Sequence, residues 1–254
     1  MKTKARLFIG TSNVVLPGNK QTFPSEYQSK SRLNFYSTLF NSVEINSSFY
    51  KVPQLKTLQK WAFDVTQNFI FTLKLWQDVT HTKNLLTNLN NIDTFLNAAE
   101  GIGDKKGCIL IQFPGKITLD YYNEVEGILS RLSEQDPQNN WRKVIEFRDR
   151  SWYVNETLEL MDEYGASIVL HDMPKSKNEI PNTSSPFIYQ RFHGADGDYR
   201  GSYTDEFLQE QYKNIQGWLK SGKDVYVYFN NTIGSAFDNA MSLKKMAETD
   251  GFYE

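Results

Sequence analysis

The 254-residue sequence is short of several residue types that would announce a chemistry. It has one cysteine, Cys108, which excludes an intramolecular disulfide framework and a thiolate metal cluster. Cys108 stands in the apolar run Cys108-Ile109-Leu110-Ile111, where a buried structural thiol is the expected reading. Histidine occurs only three times, which limits the ligands available to a transition metal. Charge of one sign is not in excess. The 28 Lys and Arg against 30 Asp and Glu leave a formal −2, so a phosphate backbone meets no general attraction. No apolar run approaches the ~20 residues that span a bilayer, and none follows the basic Met1–Arg6. A membrane partner is therefore not expected, and the cytoplasm is the expected location. Neither G-x-G-x-x-G nor G-x-S-x-G occurs, which removes the dinucleotide fingerprint and the nucleophile elbow.

What is present is aromatic weight and a regular alternation. The 17 Phe, 14 Tyr and 5 Trp read mostly as core filling. Short β-rich runs recur at Leu7–Thr11, Ser42–Asn46, Phe69–Leu75, Cys108–Phe113, Lys143–Arg148, Ser167–Asp172, Phe187–His193 and Asp224–Asn230. Between most of them apolar residues follow a helical spacing, as in Leu89, Ile92, Phe95, Leu96 and Ala99. Val125, Ile128, Leu129 and Leu132 form another such stripe, and Leu208, Tyr212, Ile215 and Leu219 a third. Strands alternating with helices imply a parallel sheet, because parallel neighbours need crossover connections. Strand count and length favour closure over an open doubly wound sheet. The expectation is a single α/β domain over residues 1–254, a (β/α)8 TIM barrel. One unit is irregular: Met173–Pro186 carries three prolines and no apolar stripe, so a loop replaces the helix between strands six and seven.

Alternation along each strand predicts which side chains face the barrel axis. Glu44 and Asn46 share a face, as do Thr72 and Lys74, and Glu146 and Arg148. Tyr189, Arg191 and His193 are in phase, and so are Tyr226, Tyr228 and Asn230. Gln112 and Asp172 end their strands. The polar members gather toward the C-terminal strand ends, where barrel enzymes build their active sites. Acids and bases nearly cancel there, so a structural ion-pair lattice competes with a catalytic reading.

At these same residues the chain resembles the YecE-like family, catalogued as domain of unknown function 72. The matching stretches include Ile9-Gly10-Thr11-Ser12, Val43-Glu44-Ile45-Asn46-Ser47-Ser48-Phe49-Tyr50 and Phe71-Thr72-Leu73-Lys74. Gln112-Phe113-Pro114, Glu146-Phe147-Arg148, Asp172-Met173-Pro174, Arg191-Phe192-His193-Gly194 and Tyr228-Phe229-Asn230-Asn231 continue the series. The resemblance implies a TIM barrel and no established activity. The family's first loop usually carries Gly-Trp after the serine; Asn13-Val14-Val15 stands here instead.

Two function classes fit this pattern. The first is an enzyme (a hydrolase, isomerase or lyase) acting on a small polar, anionic or phosphorylated substrate. Glu44, Glu146, Asp172 and His193 are its candidate acids, bases and electrophiles. Lys74, Gln112, Arg148, Arg191, Tyr228, Asn230 and Asn231 are candidates for holding the substrate, the arginines by bidentate pairing with an anion. A cofactor is not specified; Glu146, Asp172 and His193 offer mixed nitrogen and oxygen ligands to a divalent metal. The second class is a non-catalytic ligand- or nucleic-acid-binding protein, with Tyr50, Trp76 and Trp152 stacking on bases. Net charge disfavours nucleic acid. His171 is expected to be a buried, hydrogen-bonded histidine, and the placement of His81 stays open.

Overall fold

The computed structural model describes residues 4–185 and 187–253. Its strands are β1 (Leu7–Thr11), β2 (Ser42–Ile45), β3 (Ile70–Lys74), β4 (Lys106–Phe113), β5 (Arg142–Phe147), β6 (Ser167–Ile168), β7 (Leu170–His171), β8 (Phe187–Phe192) and β9 (Asp224–Phe229). All nine pair in parallel, in two runs ordered β1-β9-β8-β7 and β2-β3-β4-β5-β6. The runs meet at two seams. At one, Ser12 bridges Glu44 and the Asn13 N–H donates to Glu44 O at 2.6 Å. Gly10 permits this approach, since a Cβ there would lie 2.1 Å from Ser42 O. At the other, β6 and β7 are two halves of one stave, interrupted at Val169, whose N–H still donates to Ile145 O at 2.8 Å. The result is a TIM-barrel-like α/β fold, with expected strand six broken in two.

The connections carry α1 (Arg32–Leu39), the one-turn α2 (Ser47–Tyr50), α3 (Leu55–Asp64), the one-turn α4 (Gln77–Thr80), α5 (Asn90–Ala99), α6 (Tyr122–Gln135), α7 (Asn155–Glu163), α8 (Asp205–Lys220) and α9 (Ala236–Thr249). The apolar stripes are buried as their spacing requires, with Ile92, Phe95, Leu96 and Ala99 on α5 and Leu208, Tyr212, Ile215 and Leu219 on α8, except that Leu89 stands at the α5 N-cap and is exposed. Thr204 caps α8, its side chain accepting from Phe207 N at 3.2 Å, with Asp205 and Glu206 in the favoured first turn. No helix among the described residues is long and apolar enough to cross a membrane.

Between β7 and β8 the described residues 173–185 contain no helix. Amide side chains from this loop complete the backbone hydrogen bonding of the short stave instead. Asn182 accepts from Ile168 N and donates to Ala166 O, both at 3.0 Å, and Asn178 donates to Val169 O at 3.0 Å. Inside the barrel Phe8, Cys108, Leu110, Val144, Val169, Phe187, Tyr189, Tyr226 and Tyr228 form a packed plug. Burial pushes the Cys108 thiol up to about 12, so it stays protonated and unreactive at neutral pH.

Candidate functional site

Above the aromatic plug the inward positions of the strands turn polar. Glu44 on β2 lies fully buried and receives four donors. Arg191 of β8 grips it bidentately, Nε to Oε2 at 2.9 Å and Nη2 to Oε1 at 2.8 Å; Tyr189 OH and Ser12 Oγ each donate at 2.6 Å. A carboxylate offers about four lone-pair sites, so Glu44 is saturated. The remaining face of Arg191 donates through Nη1 to Glu146 Oε2 of β5. Glu146 Oε1 in turn contacts Arg148 Nε. Burial alone would raise both carboxyls. The charge and hydrogen bonds of Arg191 outweigh it for Glu44, and Arg148 with Arg191 hold Glu146 well below the usual range.

His193, one turn of alternation beyond Arg191, completes this lattice. Its backbone N–H and its Nδ1 both reach Asp172 Oδ1, at 2.8 and 3.1 Å. Its Nε2 faces Arg148 Nη2 at 3.1 Å and Arg191 Nη1 at 3.2 Å, both obligate donors. The network therefore assigns a neutral imidazole with the proton on Nδ1. Burial lowers its pKa; Asp172 opposes that, and Arg191 reinforces it. Asp172 Oδ2 accepts from Tyr203 OH, whose oxygen accepts from Gly194 N at 2.6 Å. His171 is buried beside it and lowered to about 4 by burial, with Nδ1 accepting from Met173 N at 3.3 Å and Nε2 within 3.0 Å of Tyr153 OH.

The flank formed by β3 and β4 is built differently. Lys74 Nζ donates to Gln112 Oε1 at 2.8 Å and stands 4.2 Å from the centre of the Phe49 ring. No carboxylate among the described residues lies within 4.0 Å of it. Phe49 is delivered by α2, which Ser48 Oγ fastens to Lys74 O at 2.7 Å. The edge of His81 meets the same ring at 4.8 Å, and its Nδ1 lies 2.8 Å from Thr80 Oγ1. Burial lowers Lys74 to about 8, with the charges of Arg191 and Arg148 adding to the effect against Glu146 and Glu44. Burial and then the nearby charges of Lys74, Lys116 and Arg148 lower His81 to about 4. Lys74, Gln112, Arg148 and His81 retain partial exposure, while Glu44, Glu146, Arg191 and His193 have lost contact with solvent.

Eight of the candidate residues thus gather at one end: Glu44, Lys74, Gln112, Glu146, Arg148, Asp172, Arg191 and His193. Asn230 follows β9, buried, with its N–H on Phe192 O at 2.7 Å. Two candidates are not brought to the opening. Tyr228 faces inward one layer too deep, in the aromatic plug, its hydroxyl shared with Ser42 and Thr72. Asn231 turns toward α9, donating to Gly201 O at 3.1 Å and Asn239 Oδ1 at 3.0 Å. Nor do Glu146, Asp172 and His193 converge as a metal site; among the described residues no group of three such side chains does. The arginines between them take the lone pairs a cation would need. Ser12, Tyr203 and Phe49 were not singled out as site residues, since they come from segments without periodicity.

A hollow of about 780 Å³ lies at the opposite end of the barrel, between Phe8, Arg142, Asp224 and Phe252. Its polar groups serve the fold: Arg142 lodges against Phe187 and Tyr226 and pairs with Asp224 at 2.7 Å, and Asn41 bonds the backbone of Leu7 and Ile9. Convergent polar groups, rather than volume, place the candidate site at the C-terminal mouth.

Residues 8–252 match the family described as Protein of unknown function DUF72. The chain belongs to the DUF72 family. It is similar to the UPF0759 protein YunF of Bacillus subtilis, at 24% identity with 90% of each chain covered. A DUF72 family protein from Thermotoga maritima superposes with a TM-score of 0.75 at 24% identity, over 96% of this chain and 99% of that one. Another, from Enterococcus faecalis, gives 0.77 at 21% identity, over 96% and 98%. A xylose isomerase domain containing protein from Salmonella typhimurium shares the barrel at a TM-score of 0.55 and 13% identity, over 99% and 98%. In this DUF72 chain the unusual Asn13 adopts φ 62° and accepts from Asn46 N at 3.0 Å. Asparagine tolerates that conformation, so the substituted loop still ties β1 to β2.

Proposed function

We propose that this protein is an enzyme acting on a small polar substrate with an anionic group, held at the C-terminal mouth of the barrel. The observation that carries this reading is Lys74: it faces the mouth with an amide and an aromatic ring as its partners and no carboxylate. Arg148 supplies a second cation whose guanidinium is oriented by Glu146 and His193. A phosphate or carboxylate entering there gains two charge-assisted donors in a partly desolvated setting. Glu44, Arg191 and Asp172 then act as a rigid base that fixes those donors.

The test is thermal denaturation with inorganic phosphate, sugar phosphates and short carboxylates. A ligand at about 100 times its dissociation constant adds roughly 2.7 kcal/mol, visible as a raised midpoint. The shift is expected in the wild type and lost in Arg148→Gln. A flat response to every anion would remove the proposal. A non-catalytic reading, in which the mouth only binds and senses its ligand, has one observation in its favour: the acids of the mouth are saturated by protein donors. Turnover of the stabilising ligand separates the two, and a steep loss of oligonucleotide binding with salt would identify a nucleic-acid partner instead.

A further inference from the structure

We propose that Lys74 is an amine that forms an imine with a small aldehyde or ketone carrying a carboxylate or phosphate. This deepens the reading above and rests on it. The inference starts from the surroundings of Nζ. A lysine meant only as a counter-charge is expected to face an acid; Lys74 faces Gln112 Oε1 and the π face of Phe49. The acids nearest in the mouth are already engaged, Glu44 by Arg191 and Glu146 by Arg191 and Arg148. Apolar contact and neighbouring cations are the two environments that make a lysine amine nucleophilic. The lowering of Lys74 to about 8 agrees with that geometry. At pH 7.5 it leaves a neutral fraction roughly two-hundredfold larger than an ordinary lysine has.

The groups around Nζ match the remaining needs of the step. Gln112 accepts from Lys74 through Oε1, which orients its NH2 as a donor for a carbonyl or carbinolamine oxygen. His81 touches the same Phe49 ring and is held neutral near pH 7, so it adds no charge beside the amine. Arg148 is placed for the anionic group. The chemistry balances without an added oxidant or reductant. The ammonium gives one proton to solvent, and Nζ attacks the carbonyl carbon to form the C–N bond. The oxygen becomes a hydroxyl by taking a proton from Nζ. It then departs as water with a proton returned from solvent, leaving a protonated C=N bond on Lys74. One ammonium and one carbonyl compound yield one iminium and one water.

The experiment is reductive trapping on the full chain with sodium cyanoborohydride, read residue by residue by peptide mass spectrometry. Glyoxylate is the anionic probe and glycolaldehyde the neutral one. Lys74 is expected to be modified at least about tenfold faster than the mean of the other lysines at pH 7.5, with a rate that rises through a midpoint near 8. Glyoxylate is expected to outrun glycolaldehyde at this position, and phosphate or Arg148→Gln to slow it. Lys74→Arg removes the fast adduct. Modification spread evenly over the lysines, with Lys74 no faster than the rest, overturns the imine. If anions still raise the thermal midpoint in that case, the imine alone has failed. If they do not, the proposed substrate class has failed with it.

Discussion

On the β8 side of the mouth every charged group answers another protein group, whereas on the β3 side Lys74 and His81 answer an aromatic ring, an amide and a hydroxyl. Both flanks descend from the same alternation of inward positions. They differ in depth and in what the adjoining loops supply. Arg191 sits low enough to meet both Glu44 and Glu146 out of solvent, and Ser12, Tyr189 and Tyr203 fill the remaining valences. Lys74 ends its strand one level higher, where α2 lays Phe49 against it. One flank stores its polar groups as rigidity and the other leaves them for a ligand, so charge in a barrel mouth is not by itself a mark of catalysis.

The largest expected effect contrasts the two flanks directly. Arg191→Met leaves Glu44 and Glu146 buried without their shared cation, and breaking such a pair costs about 3–5 kcal/mol. At about 2–4 °C per kcal/mol, the thermal midpoint falls by roughly 6–20 °C. Lys74→Met, which keeps volume and removes a partly desolvated charge, is expected to shift stability by less than about 1 kcal/mol. Equal losses in the two variants would erase the distinction between the flanks.

Acid provides the next test. His171 and His193 are kept neutral in the fold and bind protons more readily when unfolded, so their contribution is complete above the ordinary histidine value of 6.5. It is lost as pH falls, down to about 4 for His171. Glu44 and Glu146, lowered from 4.5, begin to lose theirs only below that value. Thermal midpoints should therefore decline from pH 6.5 downward, with a second, steeper fall below 4.5, and His193→Gln should make the upper part shallower without abolishing it, since His171 and His81 still contribute. A profile level from pH 7 to 4 would contradict the neutral histidines. An effect smaller than that of Arg191→Met is expected from Tyr203→Phe, which strips one hydroxyl from Asp172 and Gly194. A loss of about 1–2 kcal/mol by denaturant titration is expected.

The architecture was largely legible because alternation and helical spacing are local. Glu44, Glu146 and Arg191 share one face by parity alone, and the prolines of Met173–Pro186 mark the unit without a helix. Parity also places Tyr228 inward correctly, but it carries no information on depth, and the hydroxyl ends one layer below the opening. Asn231 lies one residue past Asn230, so the same rule that sends one inward sends the other to α9. Saturation was the least legible property of all. It depends on Ser12 and Tyr203, which reach the site from irregular segments, and on the reach of Arg191 across the barrel.

The broken stave opposite these groups bears on how water reaches them. β6 and β7 join their neighbours through Val144↔Ser167 and Ile145↔Ile168 on one side and Leu170↔Gln190 and His171↔Arg191 on the other. β4 and β5, by contrast, pair continuously from Cys108↔Arg142 to Phe113↔Phe147. Local opening follows the backbone with the fewest strand-to-strand bonds, and here that backbone relies on Asn178 and Asn182 of the following loop and is directly in register with Arg191. The wall is then expected to have a latch-side in β4 and β5, where amide exchange should be slowest, and a hinge-side in the broken stave, where solvent should enter laterally beside the guanidinium that holds the interior charges together.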